Sequence, residues 1–233
     1  MTRSISFDRI APLYRWMEYL SFGKSLERCR NHFLPELADC GNALILGDGD
    51  GRFTARLLAA HTTLHAEAVD TSSTMLHLLQ RRVEATVRSA STRLRIHRAD
   101  ALTFTPQGPC DLIVTHFFLD CLTQSQLDTL ANRLARHASP HALWLVSDFR
   151  IPTGLMHWPA RIIVRGLYIA FRVMTGLDTV ALPDHIASLS SAGFHRKNRR
   201  LSLGGLLVTE LWEYQPCHPA LTEIKHNEAA DLA

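Results

Sequence analysis

Apolar and polar positions along the chain follow two alternating rhythms. "ALILG", closing at Gly47, is a short apolar run that predicts a strand, and the pattern over 52–60 predicts a helix. "LHAEAVD" (64–70) reads as a second strand, followed by a helix over 72–88 with Met75, Leu76, Leu79 and Val83 on one side. "RLRIHRAD" (93–100) and "CDLIVTHFF" (110–118) are two more strands. Thr123 and Gln126 have capping-box spacing for a helix over 124–137, whose Leu127, Leu130 and Leu134 share a face. "ALWLVSDF" (142–149) is a fifth strand. Strands that read as apolar runs between helices predict an α/β fold, a mostly parallel sheet with helices on both faces.

The flanks depart from this rhythm. Residues 7–38 read as helical, with a break at Phe22-Gly23 and an end near Pro35. Beyond 149 a long helix covers 155–174, and a short one is entered at Pro183 and stopped by Gly193. "FHRKNRRLSL" and "GLLVTELWEY" read as an antiparallel hairpin around Gly204-Gly205, bringing the sheet to seven strands. The tail from Pro216 is polar and aperiodic, and a loose segment is expected there. With no repeat and no second core, a single domain over 1–215 is expected. It has a helical cover (1–40), a cofactor-binding core (41–150) and substrate-side helices with the closing hairpin (151–215), and 216–233 is the tail.

Composition narrows the class. Of 233 residues 46% are apolar and 20% charged, which suits a globular domain with a proper core, and a net charge of +3 is too small to argue for nucleic acid. Cys29, Cys40, Cys110, Cys121 and Cys217 form no C-x-x-C pair and no zinc spacing, so reduced thiols and no metal are expected. No signal-peptide core and no uninterrupted run of 18 apolar residues is present, which predicts a cytoplasmic protein.

The candidate chemistry lies at the strand ends. A parallel sheet binds ligands beyond the carboxyl ends of its strands, and the loop Gly47-Asp48-Gly49-Asp50-Gly51 is placed there. Gly49 and Gly51 lack the Cβ atoms that would hold a ligand off the backbone. Asp70 closes the second strand 19 residues after Gly51, where a carboxylate can accept from both hydroxyls of a ribose. Asp100 follows the third strand, placed to receive an adenine amino group. The three describe an adenosine-shaped ligand. A dinucleotide loop reads G-x-G-x-x-G; here the third glycine position is Arg52, and Asp48 and Asp50 would repel a pyrophosphate. Acidic side chains suit a cation, and S-adenosylmethionine carries a sulfonium and an ammonium. Asp48 and Asp50 have a plainer use as caps for the next helix.

"ALILGDGDG", "AVDTSSTML" and "RADAL" resemble the first three motifs of class I S-adenosylmethionine-dependent methyltransferases, over roughly residues 5–214. The ends, "FDRIAPLYRWMEYLSFG" and "GF…LSLGGLLV", are similar to the ubiquinone/menaquinone-biosynthesis C-methyltransferase group. The resemblance implies a Rossmann-like sheet. It also implies Gly47, Gly49 and Gly51 under the methionine, Asp70 on the ribose, Thr71 and Met75 flanking the adenine, Asp100 with Ala101 beside its amino group, and Tyr14 as a cover. The usual acidic residue two before the first glycine is Ile45 here, leaving the ammonium to Asp48 or a water. "GDGDGRF" also resembles the "GGGDG" loop of aminopropyltransferases, whose acidic motif after the fourth strand is replaced by "THFFLDCLT". A non-catalytic partner subunit with this fold is the other alternative.

Acceptor-side expectations rest on position. His116, Asp120, Asp148 and His157 lie at or beyond the ends of strands four and five. His116 is the expected base, with a structural hydrogen-bonding role as the plainer alternative. Asp148 orients substrate or caps the loop before Pro152. Phe117, Phe118, Asp120, Met156 and Trp158 are expected to line a pocket for a small lipophilic or aromatic acceptor. Arg161, Arg165 and Arg172 share one face of the helix over 155–174, read either as a lid touching anionic lipid or a partner, or as a solvated basic stripe.

Overall fold

The computed structural model describes residues 24–88, 90–154, 157–158, 160–162, 164–166 and 182–216. Tyr14, Met156, the break at Phe22-Gly23, Arg172 and the tail beyond Pro216 lie outside the described residues.

Seven strands form one sheet: β1 (Asn42–Leu46), β2 (His65–Asp70), β3 (Leu94–Arg98), β4 (Cys110–His116), β5 (Ala138–Phe149), β6 (Phe194–Ser202) and β7 (Leu207–Tyr214). Their order is β3-β2-β1-β4-β5-β7-β6, with β1 to β5 parallel and β7 antiparallel to both neighbours. Described helices are α1 (Lys24–Arg30), α2 (Arg52–Ala60), α3 (Ser73–Thr86), α4 (Ala90–Arg93), α5 (Gln124–Ala135) and α6 (His185–Ser191). The expected Rossmann-like fold with its antiparallel closing hairpin is present.

Alternation along the strands sorts side chains between two helical layers. Ala43 and Ile45 of β1, with Leu112 and Val114 of β4, bury against Phe53, Leu57 and Leu79 of α2 and α3. Leu44 and Leu46, with Ile113, Trp144 and Trp212, bury against Leu127, Leu130 and Leu134 of α5 and Leu189 of α6. Both faces of the central strands are therefore apolar, as their continuous runs require.

Local chemistry sets the boundaries. The capping box is formed: Gln126 N donates to Thr123 Oγ1 at 3.3 Å, and Thr123 N donates to Gln126 Oε1 at 2.9 Å. Asp184, rather than Pro183, opens α6, accepting from Ala187 N at 3.0 Å. The turn α4 was not expected. It buries Arg93, whose Nη1 donates to the carbonyls of Leu58 and His61 at 3.0 and 2.9 Å, closing the C-terminal end of α2. Charged side chains seldom go inside, so Arg93 read as a strand start.

The closing hairpin is pinned by one carboxylate. Glu210 on β7 is 1% exposed and accepts from His185 Nε2 at 2.9 Å, Arg196 Nη1 at 3.1 Å and Trp212 Nε1 at 3.2 Å. Burial pushes its pKa up, but His185, Arg196 and Arg199 outweigh this and hold it below the usual range. Part of the basic run on β6 is thus neutralised from β7. Glu210→Ala strands these cations, and a loss of about 3–5 kcal/mol is expected in chemical denaturation.

Candidate active site

The chain leaves β1 for β2 and β3 on one side, then returns to β4 on the other. The carboxyl ends of β1 and β4 therefore frame the switch point where such sheets bind ligands. Gly47 N donates to Val69 O at 3.0 Å and Ala99 N to Asp70 O at 3.1 Å, which brings the ends of β1, β2 and β3 side by side. The expected Gly47, Asp70 and Asp100 sites are neighbours.

Gly47, Gly49 and Gly51 all have left-handed φ, +68°, +61° and +77°. A Cβ at Gly47 would lie 2.6 Å from Phe118 Cδ2. One at Gly51 would lie 2.6–2.8 Å from Leu79, its Cα included. One at Gly49 would meet nothing within 4 Å. Gly49 is thus the glycine open to a ligand. At Gly51 the missing Cβ lets the loop pack on α3.

The two loop aspartates differ. Asp48 is buried; its Oδ2 accepts from Thr54 N at 2.9 Å and Thr54 Oγ1 at 2.6 Å, while its Oδ1 has no hydrogen-bond partner among the described residues. Burial raises its pKa to about 6. Asp50 accepts from Arg82 Nη2 at 2.9 Å and ties the loop to α3, and no helix-capping bond from it is seen. Ile45 is 1% exposed among α2 and α3, so a charge there would sit in the core.

Asp70 is half-buried and accepts from Ser72 N at 2.9 Å through Oδ1, and exposed Asp100 accepts from Leu102 N at 2.8 Å. Thr71 is exposed, Met75 half-buried and Ala101 buried. An open glycine, an orphaned carboxylate oxygen and carboxylates at the next two strand ends fit an adenosyl cation such as S-adenosylmethionine.

A cavity of about 170 Å³ opens beyond the ends of β4 and β5. Asp120 and Asp148 line it with Leu119, Ile151, Pro183 and Ile186. Asp120 sits in the 3-10 turn Leu119–Cys121 and is hydrogen-bonded to Asp148 through the side chains. Burial raises both pKa values, Asp120 to about 6 and Asp148 well above the usual carboxyl range, where the Asp120 charge adds to it.

Five expected residues lie elsewhere. His116 packs edge-on against Phe53 with ring centroids 4.5 Å apart, and neither ring nitrogen has a hydrogen-bond partner among the described residues. Burial, then Arg30, hold its pKa well below the ordinary value. Alternation turns it toward α2, away from the face of Asp148, so the expected base does not line this cavity. Phe117 adopts φ +52°, which swings its ring to Cys29, Leu26 and Phe149 beside α1. Trp158 is 68% exposed and points outward, not into the cavity. Phe118 instead leans on Gly47. His157 Nδ1 donates to the Pro152 carbonyl, 3.2 Å away, and serves the turn. The far wall, with His185, Arg199 and Glu210, was not anticipated. Its one sequence signal is a glutamate inside the apolar run "LLVTELWEY".

Residues 43–141 match the family model described as a methyltransferase domain. A search of the curated proteins finds no match. Among solved structures, the chain is similar to the N-methyltransferase NodS from Bradyrhizobium japonicum WM9 in complex with S-adenosyl-L-homocysteine. Identity is 17%, 81% of this chain and 87% of that chain are covered, and the TM-score is 0.61. The mitomycin 7-O-methyltransferase MmcR (16% identity, 91% and 61% covered, TM-score 0.65) and the pyocyanin biosynthetic protein PhzM (13%, 90% and 62%, 0.64) are also similar. At these identities the likeness is one of fold.

The glycines separate experimentally. Gly51→Ala combines left-handed strain with collision against Leu79, and a loss of about 2–5 kcal/mol is expected by denaturation. Gly49→Ala is expected to cost only about 1–2 kcal/mol, its larger effect being weakened ligand binding.

Proposed function

We propose that this chain transfers the methyl group of S-adenosylmethionine to a small lipophilic or aromatic acceptor. The observation that carries this reading is the orphaned Asp48 Oδ1 beside the open Gly49 at the switch point. A buried carboxylate oxygen without a donor suits an ammonium group and disfavours a pyrophosphate. Asp50 adds nothing to that preference, since Arg82 already holds it.

In this reading Gly47, Gly49 and Asp48 hold the methionine portion, and Asp70 accepts from the ribose hydroxyls. Thr71 and Met75 flank the adenine, Asp100 and Ala101 meet its amino edge, and Tyr14 covers it. When bound, S-adenosylmethionine supplies a methyl group on a sulfonium that is already a good leaving group. The protein's task is then mainly alignment and exclusion of water. The apolar lining of the cavity supports a lipophilic or aromatic acceptor. The likeness of both chain ends to quinone C-methyltransferases supports an aromatic one.

The reading extends to a membrane surface as the source of acceptor. In the helical residues 157–158, 160–162 and 164–166, Ala160 and Val164 bury against Leu206, while Trp158 and Ile162 are 68% and 69% exposed. Arg161 lies 5.8 Å over the Trp158 ring, and exposed Arg165 follows one turn on. An aromatic and an aliphatic side chain set among arginines complement an anionic lipid interface. Among the described residues no helix is long and apolar enough to cross a membrane. Co-sedimentation with anionic phospholipid vesicles is expected, weakened at least fivefold by Trp158→Ala with Ile162→Ala. Equal binding to neutral vesicles would count against a charge-assisted surface.

Calorimetric titration tests the donor site, with NADH as control. Binding of S-adenosylmethionine is expected for the wild type and not for Asp70→Ala. Only ionised Asp48 attracts an ammonium, so affinity should rise with pH through about 6, a dependence absent from Asp48→Asn. NADH binding in place of S-adenosylmethionine would refute the assignment.

A further inference from the structure

Two carboxyl groups are buried against one another at the cavity wall. Asp120 and Asp148 are 8% and 3% exposed, and a hydrogen bond between two carboxyl side chains requires one proton between them. Phe149 N donates to Asp148 Oδ1 at 3.0 Å, and the Cys121 thiol lies 3.5 Å from Asp120 Oδ1. Among the described residues, the other charged groups around the cavity are Arg150, Asp184, His185, Arg199 and Glu210. Asp184 is engaged in capping α6, and His185 and Arg199 are held by Glu210.

We infer that the Asp120–Asp148 pair is the proton acceptor of the cavity, and that it selects a neutral phenolic hydroxyl as the methyl-accepting group. This inference rests on the methyltransferase reading of the same site. An engineered apolar cavity of about 150 Å³ holds benzene, so the 170 Å³ here suits a single aromatic ring. A ring among Leu119, Ile151, Pro183 and Ile186 directs its hydroxyl at the pair.

In the step, the phenol O–H bond breaks and its electron pair stays on oxygen. The proton goes to the ionised carboxyl, leaving both carboxyls protonated; it passes to solvent after product leaves. The oxygen lone pair then forms the O–CH3 bond as the methyl–sulfur bond of the sulfonium breaks, its electron pair staying on sulfur to leave a neutral thioether and a methyl ether. Burial raises the Asp120 pKa to about 6, narrowing its gap to a phenol beyond what an ordinary carboxylate offers. Amines are disfavoured, because an ammonium beside the singly charged pair is stabilised with its proton on. Carboxylate-bearing acceptors are repelled.

Phenol and anisole are the probes, since they differ in the O–H alone. Calorimetry on the full chain is expected to show phenol bound at least tenfold more tightly than anisole, and Asp120→Leu is expected to bind the two alike. Asp120→Asn, which removes the ionised carboxyl and keeps a hydrogen-bond acceptor, is expected to lower kcat for a phenolic acceptor roughly hundredfold and to remove the acid limb near 6 from the pH–rate profile. S-adenosylmethionine affinity and the unfolding midpoint report whether each variant is folded. Equal binding of phenol and anisole by the wild type, or an undiminished preference in folded Asp120→Leu, would overturn the assignment. A phenol preference that depends on the pair, without S-adenosylmethionine binding or methyl transfer to any acceptor, would sink the methyltransferase reading alone.

Discussion

The site depends on the burial of β1. This strand is hydrogen-bonded on both edges, to β2 and β4, and apolar on both faces, so its register and direction are fixed by the core. The chain leaves it through left-handed Gly47 and enters α2 at left-handed Gly51, which packs on Leu79. The intervening backbone is therefore held from both ends, and Gly49 is left at the open middle. Asp48 faces inward because Thr54, in the first turn of α2, donates to it twice. A ligand site made this way is as rigid as the sheet beneath it.

The same alternation that builds the core divides the acceptor side. His116 and Asp148 are both polar residues near the carboxyl ends of adjacent strands, and position alone does not rank them. Their parity does. His116 shares the face of Leu112 and Val114 and goes under α2, whereas Asp148 shares the face of Trp144 and Val146 and goes toward α6. The one-residue step of the pleat places one in the apolar layer and the other at the cavity wall.

The sheet was legible in the sequence because its strands are buried on both faces, and unbroken apolar runs are what such burial demands. The donor loop was legible because left-handed turns leave glycine as their mark. Three things escaped. The αL conformation at Phe117 is imposed by tertiary packing, since a phenylalanine has no preference for it. Trp158 read as pocket lining because apolar residues are usually inside, yet it is exposed. The cationic partners of Glu210 come from β6 and α6, up to 25 residues away, and separation of that kind leaves no local pattern.

The electrostatics of the site give a reason for its acidic character. Asp48 and Asp120 both have folded-state pKa values raised by burial from 3.8 to about 6. Between those values the folded chain retains protons that the unfolded chain has released, so stability falls as pH rises through the window. For Asp48 the shift corresponds to about 3 kcal/mol at neutral pH. A protein selected only for stability would place an amide or an apolar residue there. A ligand that brings a positive charge to the orphaned Asp48 oxygen reverses the effect, because it favours the ionised carboxylate that burial penalises. The cost to the free protein and the affinity for a cation are two sides of one desolvated charge. A buried acidic residue is therefore retained where a cation is to be bound.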